Sequence, residues 1–589
     1  MRLEDYWGVG PKTSEQLTAE LGVERAVEAI ESANVRALVD AGISRGRATR
    51  ILRRASGEAG MDVLATGDTR SVYDDLLSLA AEYALTEHAG DRIRVLTPLT
   101  DRDAIQARLD EVLDARDAWE GLGAKQRANV VDAFDEYDAA GGSERVAVET
   151  ALALREAGLE GNTFDALADV DPDALREAAG ALGYVRETDD GVEVLEGADD
   201  ELDRLRDQLA DARELENAAF DVIDSVRDGS VPDFEAFKSG VVDHVAGRSD
   251  IDPGRVRDAA PGEAVDAADF VSGTLRNLVA DLEADVEDRE ATVAADLRES
   301  IGGAEADVAA AIDAVSDVAF YLSLGRFAAE HDLNRPELVE DGIAVRNARN
   351  LFIGGEVQPI SYAVGGHGLP DEGMAVSERP PAGDRVSVLT GANSGGKTTL
   401  LETLCGVALL AAMGLPVPAE AAEVGRFDRV VFHRRHASFN AGVLESTLNS
   451  VVPPLVEEGR TLMLVDEFEA ITEPGRAADL LNGLVDLTVD REALGVYVTH
   501  LADDLSPLPD SARIDGIFAE GLTQELELQV DYQPRFGTVG KSTPEFIVSR
   551  LVADANDHTV RQGFEHLAQA VGEEAVQRTL SDARWSPED

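Results

Sequence analysis

The stretch VSVLTGANSGGKTTLLETL, from Val386 to Leu404, decides the fold of the second half of the chain. A strand-like apolar run is followed by a glycine-rich turn, and a helix begins at Lys-Thr-Thr. Residues 391–398 fit the pattern G-x-x-x-x-G-K-[ST] in the strand–turn–helix context that this phosphate-binding motif requires. Glycines let backbone N–H groups curl around a phosphate, and the helix N-terminus adds its dipole. The stretch therefore predicts a nucleotide site on an α/β sheet.

The residues of this motif have defined roles in such a site. The expected nucleotide-binding set is Gly391, Ala392, Asn393, Ser394, Gly395, Gly396, Lys397 and Thr398. Lys397 would place its cation on the β and γ oxygens of ATP, and the Thr398 hydroxyl would ligate Mg²⁺. The alternative, a purely structural glycine-rich turn, is disfavoured by the strand that precedes it.

Two further strand ends complete the pattern of an ATPase. The buried-strand run TLMLV ends in the paired carboxylates Asp466 and Glu467. Asp466 is placed to hold the metal through its water shell, and Glu467 to orient or deprotonate the attacking water. The apolar strand from Gly495 ends at His500, which could contact the γ-phosphate. A lone strand-end histidine would usually be structural, but this order and spacing favour a catalytic role.

The composition indicates a folded protein built for concentrated salt. The 589 residues carry 53 basic and 115 acidic side chains, a net charge of −62, and only five of the basic residues are lysine. Such charge usually suggests disorder, but apolar periodicity is sustained along the chain. At about 1 M salt the screening length is roughly 3 Å, so self-repulsion nearly vanishes. We expect a protein of a salt-accumulating, archaeal-type cytoplasm.

Other classes of protein are disfavoured by simple counts. The single cysteine, Cys405, excludes an internal disulfide and is expected to pack in the helix after the glycine turn. No apolar run approaches the roughly 20 residues that a membrane span needs, and no signal peptide opens the chain. A membrane protein is therefore not expected.

Changes of pattern along the chain predict a mostly α-helical protein with a C-terminal α/β P-loop ATPase domain. The long helices expected at about 199–226 and 264–325 carry narrow apolar stripes, which suits arms crossing solvent. The sequence YVRETDDGVEVL, from Tyr184 to Leu195, predicts a β-hairpin between helices. The expected domains are an N-terminal unit (1–56), a helical connection (57–90), a helical core with the arms (91–355), the ATPase domain (356–556) and a helical tail (557–589).

The first 56 residues contain two glycine hairpins that predict DNA binding. The first is Gly8-Val9-Gly10, and the second lies in AGISRGRATRILRRA, which has five arginines and no acid. This region resembles the tandem helix-hairpin-helix domains of DNA-repair proteins, in which backbone N–H groups face a phosphate. The expected contacts are Gly8, Gly10, Lys12, Gly42, Arg45, Gly46, Arg47, Arg50, Arg53 and Arg54. A protein-docking unit is the alternative.

The motifs of the second half resemble those of the MutS family of DNA-repair ATPases. DEFEAITEPGRAADLL, which begins at Asp466, is similar to that family's DELGAGTDPQEGAALA but has Glu469 and Ile471 where glycines are usual. Ala392 replaces a usual proline, and Thr499-His500 and the segment Y-x-x-x-x-G-x-x-G-x-S after Tyr532 match the family. The segments LTPLTDRDAIQARLDEV (96–112), GVEVLEGADDELDRLR (191–206) and LNRPELVEDGIAVRNARN (333–350) resemble the MutS-II branch, which lacks a mismatch-reading domain. The resemblance covers roughly residues 90–555.

The resemblance implies a MutS-like core with an ATPase domain of the ABC type, in a homodimer with two composite ATP sites. It also implies lever and clamp arms that embrace DNA, and hence a nucleoid-associated protein. Ser438 is the candidate group donated across the dimer interface, although it could equally be a helix cap. The implied function is an ATPase whose DNA binding is non-specific or structure-selective, acting on recombination or repair intermediates and possible repair partners. The tail after Asn556 is too short for the small MutS-related nuclease domain, so nuclease activity is not expected.

Three alternatives to this function remain. The first is recognition of mismatches, for which Phe134-Asp135-Glu136 supplies the letters of the family's Phe-x-Glu wedge. That match lies in a helical stretch of the core, so we interpret it as chance. The second is a scaffold ATPase of the SMC or transporter type, which lacks support because no LSGGQ-type signature precedes the paired carboxylates. The third is an ATPase without DNA, whose arginine cluster would bind protein.

Overall fold

The structure is a computed structural model of the 589-residue chain. It describes the whole chain apart from residues 1–2, 4–5, 7, 32–33, 58–59, 142, 159–161, 169, 189–190, 229–232, 356, 371–378, 392–395, 436–440, 468–473, 502–503, 506, 523–527, 541–543, 556, 573–575 and 580–589. The chain divides into two compact units, and each is described by itself. The first comprises residues 1–131, 161–163 and 316–589, and the second comprises residues 132–160 and 164–315.

Helices dominate the described chain, as the sequence predicts. They are α1 (Pro11–Glu20), α2 (Val23–Glu31), α3 (Val35–Asp40), α4 (Arg45–Gly57), α5 (Gly67–Ala81), α6 (Glu87–Arg94), α7 (Arg102–Gly121), α8 (Ala124–Ala139), α9 (Glu144–Glu156), α10 (Pro172–Gly183), α11 (Asp200–Asn217), α12 (Ala219–Asp228), α13 (Phe234–Ser249), α14 (Pro253–Asp258), α15 (Ala267–Gly303), α16 (Glu305–Glu330), α17 (Gly396–Ala412), α18 (Ala441–Val456), α19 (Pro474–Asp490), α20 (Pro544–Asp554) and α21 (His558–Val571).

The strands among the described residues form three sheets. They are β1 (Val185–Thr188), β2 (Gly191–Val194), β3 (Glu337–Val339), β4 (Ile343–Ala348), β5 (Ile360–Val364), β6 (Val386–Gly391), β7 (Ala421–Gly425), β8 (Arg429–His433), β9 (Thr461–Asp466), β10 (Leu494–Val498), β11 (Ala512–Leu522) and β12 (Leu528–Phe536).

A six-stranded sheet in the order β12-β11-β6-β10-β9-β8 lies at the centre of the first unit. Its strands are parallel except β12, which pairs antiparallel with β11 at one edge. Strands β6, β9 and β10 are buried along their whole length. Parallel sheets need cover on both faces, and here residues of α17 join one apolar cluster while α18 and α19 contribute to the other. The centre of the sheet is therefore buried on both faces.

Residues 60–94, most of which fall in the helical connection predicted at 57–90, contribute to the core of this sheet. Apolar residues of α5 lie in the same cluster as α17 and β8. Leu64 forms a parallel bridge with Val430 at the free edge of β8. The buried Thr69 hydroxyl accepts from the Phe432 N–H at 2.9 Å and donates to the Val430 carbonyl at 3.0 Å, and Thr66 donates to the Phe432 carbonyl. This segment thus supplies the hydrogen-bond partners that an edge strand otherwise lacks.

A second sheet in the order β3-β7-β4-β5 is joined to the first by buried polar groups. The Tyr362 hydroxyl of β5 lies 2.6 Å from Ser387 Oγ on β6 and 2.9 Å from Asp515 Oδ2 on β11, and Ser387 Oγ donates to the same Asp515 oxygen at 2.6 Å. Asp515 also accepts from the Arg513 Nε at 2.9 Å, and Arg513 donates to the Ala363 carbonyl. Because β3 and β4 pair with β7, strand pairing crosses the boundary that the sequence suggested at residue 356.

The second unit contains the predicted hairpin and much of the long helices. The hairpin is β1 and β2, with Thr188 opposite Gly191. In place of one helix at about 199–226 the chain forms α11 and α12, which are interrupted at Ala218, and α15 and α16 are interrupted at Ala304. The stripe of α15 is buried at Leu275, Leu278 and Leu282, where it packs against α11 to α14.

Helix α16 is more apolar than expected, because no apolar run close to the length of a membrane span is predicted from the sequence. It has a mean hydropathy of 1.5 over its most apolar 18-residue window, so it is long and apolar enough to cross a membrane by length and composition. Most of that window, 61%, is buried, as in the core helix of a folded domain. Burial therefore accounts for its apolar character.

Candidate functional site

The predicted phosphate loop, paired carboxylates and histidine meet at the carboxyl edge of the six-stranded sheet. Strand β10 lies between β6 and β9, with Val498 opposite both Leu389 and Asp466. The Thr499 N–H donates to the Leu389 carbonyl at 3.1 Å, and the Glu467 N–H donates to the Val498 carbonyl at 3.1 Å. Parallel strands bring their carboxyl ends to one edge, and ligands of open α/β sheets bind there.

Two glycines of the phosphate loop are required by close contacts. Gly391 has φ +121°, and a Cβ there would lie 2.0 Å from the Ile517 carbonyl oxygen. A Cβ on Gly396 would lie 2.4 Å from a ring carbon of Tyr532. Lys397, which follows, is buried, and its Nζ donates to the Gly391 carbonyl at 2.9 Å. Ala392, Asn393, Ser394 and Gly395 lie outside the described residues.

Thr398 and Asp466 form a donor pair suited to Mg²⁺. The Thr398 hydroxyl donates to Asp466 Oδ2 at 2.6 Å, and Asp466 is 3% exposed. Burial raises the pKa of Asp466, which the Thr398 hydrogen bond opposes. Among the described residues no group of three or more His, Cys, Asp or Glu side chains could hold a metal alone. Mg²⁺ typically takes one or two carboxylates together with substrate phosphates, so a hydroxyl and one carboxylate fit it.

Glu467 lies within reach of three basic side chains. Its Oε1 is 2.8 Å from His500 Nε2 and 3.9 Å from Lys397 Nζ, and its Oε2 accepts from Arg435 Nη1 at 2.5 Å. Glu467 itself has φ +39°, in the left-handed region. Burial raises the pKa of this carboxyl, but the His500 hydrogen bond and the nearby cations outweigh burial and lower the pKa overall. The geometry keeps Glu467 ionised beside the end of the phosphate loop.

Arg434 and Arg435 are functional candidates that the sequence reasoning missed. Arg434 pairs with Glu402 of α17, and its backbone N–H donates to Asp68 at 2.8 Å. Arg435 pairs with Glu467, and its backbone N–H donates to Asp466. The available signal was an arginine pair directly after an apolar strand, but the sequence does not say that this strand lies beside β9.

A cavity of about 330 Å³ adjoins the start of α17. Gly396 and Thr399 line it on the phosphate-loop side. Its other walls combine apolar or aromatic side chains with amides, namely Asn350, Ile353, Gln358, Ile360, Thr403 and Tyr532. Asn350 is fixed by bonds from its Nδ2 to Glu402 at 3.1 Å and from the Phe352 N–H to its Oδ1 at 2.8 Å. A planar heterocycle with polar edges fits such a lining.

The segment after Tyr532 closes against the phosphate strand. The Gly540 N–H donates to Thr390 Oγ1 at 2.7 Å, and Thr390 Oγ1 donates to the Asp515 carbonyl at 2.9 Å. The Gly537 N–H donates to Asp515 Oδ1 at 3.1 Å. A Cβ on Gly540 would lie 2.7 Å from the Gly391 Cα. Gly540 is therefore needed for a close approach of two backbones, whereas Gly537 has φ +66° and open space where a Cβ would lie.

The two N-terminal hairpins have closely similar conformations. Gly8 and Gly42 have φ +80° and +83°, and each is followed by a buried apolar residue, Val9 or Ile43. After Gly10 and Ser44 the helices α1 and α4 begin, the latter after a turn in which the Ile43 N–H donates to the Leu38 carbonyl. Lys12 lies in the first turn of α1, and Gly46 lies in the first turn of α4. Both hairpins thus present a helix N-terminus after a left-handed glycine.

The arginine cluster of α4 is partly paired inside the protein. Arg45 donates to both oxygens of Asp91 at 2.6 and 2.8 Å, and Arg53 donates to Asp74 at 2.7 Å. Arg47 donates to Thr13 at 2.6 Å. Arg50 donates to a carbonyl of its own helix, and Arg54 also has a partner. The stretch contains no acid, but α5 and α6 supply two, so its positive surplus is smaller than the sequence suggests.

The remaining residues named in the sequence analysis have simple outcomes. Phe134 is fully buried in α8, and a wedge that enters DNA must be exposed, so the Phe-x-Glu match is a chance one. Ser438, like Glu469 and Ile471, lies outside the described residues. Cys405 is buried in α17 as predicted, and burial raises the pKa of its thiol.

Similarity to known proteins was found over parts of the chain. A "DNA-binding protein MutS2" of Pyrococcus furiosus is 44% identical over 217 residues, which is 37% of each chain. An "Endonuclease MutS2" of Thermomicrobium roseum is 25% identical over 469 residues, covering 72% of this chain and 56% of the relative. The "DNA mismatch repair protein MSH1, mitochondrial" of Arabidopsis thaliana is 34% identical over 122 residues, 19% of this chain and 11% of the relative.

The matched regions span 37%, 56% and 11% of the lengths of these three relatives, in the order given. A search against protein-family profiles gave no match. The relatives named MutS2 agree with the motifs quoted from the sequence and with the arrangement of strand ends around the phosphate loop. These similarities support the assignment of the chain to the MutS family.

Proposed function

We propose that the chain is a Mg²⁺-dependent ATPase of the MutS type that couples ATP binding and hydrolysis to DNA binding. The observation that carries the proposal is the convergence of Lys397, the Thr398–Asp466 pair and the Glu467–His500 pair on one sheet edge. A structural glycine turn would not need a buried lysine beside a buried carboxylate pair. These groups have the chemistry that a nucleoside triphosphate requires.

ATP would bind with its phosphates on the loop and its base in the adjoining cavity. Tyr532 offers a ring face, and Ile353 and Ile360 offer apolar contact. The amides of Asn350 and Gln358 lie near enough to read the polar edge of a purine. The phosphates would be held by the backbone after Gly391 and by the Lys397 ammonium. Mg²⁺ would be held by Thr398 and Asp466 and would neutralise part of the phosphate charge.

Hydrolysis would then be a direct displacement by water. The water oxygen forms a bond to the γ-phosphorus, the bond from that phosphorus to the β–γ bridging oxygen breaks, and ADP leaves. Glu467 orients the water and accepts its proton, which suits a carboxylate that the local cations keep ionised. His500 stays hydrogen-bonded to Glu467 at 2.8 Å and fixes the direction of that carboxylate.

DNA binding would use the N-terminal hairpins and the helical arms. The left-handed glycines Gly8 and Gly42 and the helix starts after them support phosphate contact. We propose that phosphates and shape are read rather than base sequence, as on branched recombination intermediates, in a salt-rich cytoplasm. Arginine suits that setting because bidentate guanidinium contacts persist where diffuse attraction is screened.

We propose homodimerisation from the family resemblance, and exposed apolar residues on the C-terminal helices α20 and α21 support it. Val560, Phe564, Leu567 and Val571 recur at helical spacing on α21, and Val560 and Leu567 are about half exposed. Ile547 of the neighbouring helix α20 is also about half exposed. Phe564 and Val571 pack against α20 within the chain. A second copy of the chain would cover the exposed Val560, Leu567 and Ile547, and Ser438 of one copy would complete the site of the other.

The decisive experiment compares the purified chain with Lys397→Ala in concentrated KCl. We expect Mg²⁺-dependent ATP turnover by the native chain and a loss of about 100-fold or more in the variant. Binding of homoduplex, mispaired and four-way DNA is measured with and without ATP. Tighter binding of four-way DNA supports structure selectivity, and unchanged turnover in Lys397→Ala would refute the ATPase proposal.

Mismatch recognition is the second candidate function. The printed name of the Arabidopsis relative, a DNA mismatch repair protein, favours it, whereas the burial of Phe134 removes one candidate wedge. A single mispair that raises affinity or turnover would establish it. Several relatives are named endonucleases, so the same DNA substrates should be inspected for cleavage, which we do not expect.

A further inference from the structure

Arg435 is brought to the candidate active site by the register of two parallel strands. His433 lies opposite Val465 in the β8–β9 pair, so the residues two positions further along, Arg435 and Glu467, emerge side by side at the sheet edge. The backbone N–H of Arg435 donates to Asp466, and its side chain donates to Glu467 at 2.5 Å. Both carboxylates of the site are therefore in contact with one residue, whose backbone is fixed there.

Glu467 shares its charge among three basic side chains. Lys397 and His500 face one carboxylate oxygen, at 3.9 and 2.8 Å, and Arg435 faces the other. Lys397 is the cation expected on the terminal phosphate oxygens. Arg435 contacts the other oxygen of the same carboxylate, so its guanidinium and the Lys397 ammonium both lie beside Glu467.

Arg435 differs from Lys397 in its freedom to move. The Lys397 side chain is 5% exposed, whereas that of Arg435 is 48% exposed. A terminal phosphate carries more charge than a carboxylate that is already hydrogen-bonded, and it accepts both arms of a guanidinium. Competition between the two anions should therefore draw the half-exposed guanidinium towards the phosphate.

We propose that Arg435 is a catalytic residue that contacts the terminal phosphate of a bound nucleoside triphosphate and, in doing so, releases Glu467 to act on water. This inference rests on the proposed ATPase function. It makes the site selective for the third phosphate, because a diphosphate offers no group to draw Arg435 from Glu467. The fold thus holds the guanidinium on the carboxylate in the absence of that phosphate and on the transferred group in its presence.

The test compares Arg435→Ala and Arg435→Lys with Arg429→Ala, which lies at the far end of the same strand and pairs with Glu457. Affinity for ADP and for a non-hydrolysable ATP analogue is measured by calorimetry, and turnover is measured under saturating ATP. For Arg435→Ala we expect the analogue to bind about 10- to 100-fold more weakly, ADP to bind within about threefold of native, and turnover to fall about 100-fold or more. Arg435→Lys should recover part of the selectivity, and Arg429→Ala should behave as native.

Two results would overturn the inference. If Arg435→Ala lowers turnover while both nucleotides keep their native affinity ratio, Arg435 acts only by positioning Glu467. If turnover and affinities are native, the contact has no role in the reaction. Lys397→Ala is included in the same series to test the proposed ATPase function separately. If Lys397→Ala loses turnover while Arg435→Ala behaves as native, only the inference about Arg435 is refuted. If Lys397→Ala keeps native turnover, the proposed ATPase function itself is refuted.

Discussion

Replacing Thr69 by valine tests whether residues 60–94 belong to the core of the nucleotide-binding unit. Thr69 is fully buried, and its hydroxyl bonds to both the N–H of Phe432 and the carbonyl of Val430 on the edge strand β8. Valine has nearly the same shape but cannot make either bond. The substitution therefore removes hydrogen bonds without opening a cavity.

The expected cost follows from the partners that are left behind. The Phe432 N–H loses its partner in a buried position, which costs about 1–3 kcal/mol. The Val430 carbonyl still accepts from the Ala65 N–H at 3.3 Å. Removing its bond to Thr69 should therefore cost only the net contribution of one hydrogen bond, about 1 kcal/mol. We expect a total of about 2–4 kcal/mol. Thr69→Ser keeps the hydroxyl and loses one methyl group, at about 1 kcal/mol.

The assay is denaturant unfolding in a fixed concentration of KCl, with hydrogen exchange followed by mass spectrometry on the peptide 429–434. Thr69→Val should lower the unfolding midpoint and speed exchange at Phe432, whereas Thr69→Ser should change both less. The ranking of the two variants by stability is informative, because hydrophobicity alone would make Thr69→Val the more stable one. Valine as stable as serine, with unchanged exchange in β8, would show that the segment does not complete the edge of the sheet.

Two further predictions concern the phosphate loop and the second unit. Gly396→Ala should weaken nucleotide binding about tenfold or more, a loss of about 1.4 kcal/mol, because its Cβ would lie 2.4 Å from the Tyr532 ring; calorimetric titration with ATP measures this. In the second unit, the Arg289 hydrogen bond lowers the pKa of Asp199 to about 2, from an ordinary value near 3.8. The ionised Asp199 thus contributes stability that is present above about pH 4 and lost as the pH falls towards 2. Denaturant unfolding of the native chain and of Asp199→Asn across that range should show a weaker pH dependence in the variant.

Each of these predictions has a matched control. Gly406→Ala lies in the same helix as Gly396 with no atom near its added Cβ, so it should bind nucleotide normally and stabilise the helix by about 0.5–1 kcal/mol. Equal binding by the two glycine variants would contradict the steric argument. For Asp199, an unfolding curve that is equally acid-sensitive in the native chain and in Asp199→Asn would show that another carboxyl is responsible.

Local patterns in the sequence predicted the elements of the site well. The strand before the phosphate loop, the strand ending at Asp466 and the strand ending before Thr499 occur within one or two residues of the expected positions. Buried parallel strands are short continuous apolar runs, so their ends are visible as the first polar residues. Parallel pairing then brings those ends to one edge, which is why a one-dimensional pattern predicted a three-dimensional cluster.

What the sequence did not predict depends on contacts between distant segments. Arg435 reaches Glu467 because β8 pairs with β9, and Arg45 reaches Asp91 because two short helices pack together. Neither pairing is encoded in the spacing of nearby residues. The segment around Thr69 is a further case, since its threonines serve as substitutes for a missing neighbour strand. Such polar substitutes have no periodicity that a sequence pattern could show.

The contacts of the N-terminal hairpins with α5 and α6 determine how binding of a ligand to the hairpins could affect the rest of the first unit. Val95, just after α6, lies in the apolar cluster of the hairpins, and Arg45 and Arg53 pair with acids of α5 and α6. A module on a slack tether acts by raising local concentration, with a dependence on tether length. A module that is packed rigidly against the sheet can instead transmit force to it. Torque applied by a bent or branched duplex would be passed through α5 to β8, the strand that Arg434 and Arg435 follow, so mechanical load, rather than proximity, would be the quantity communicated.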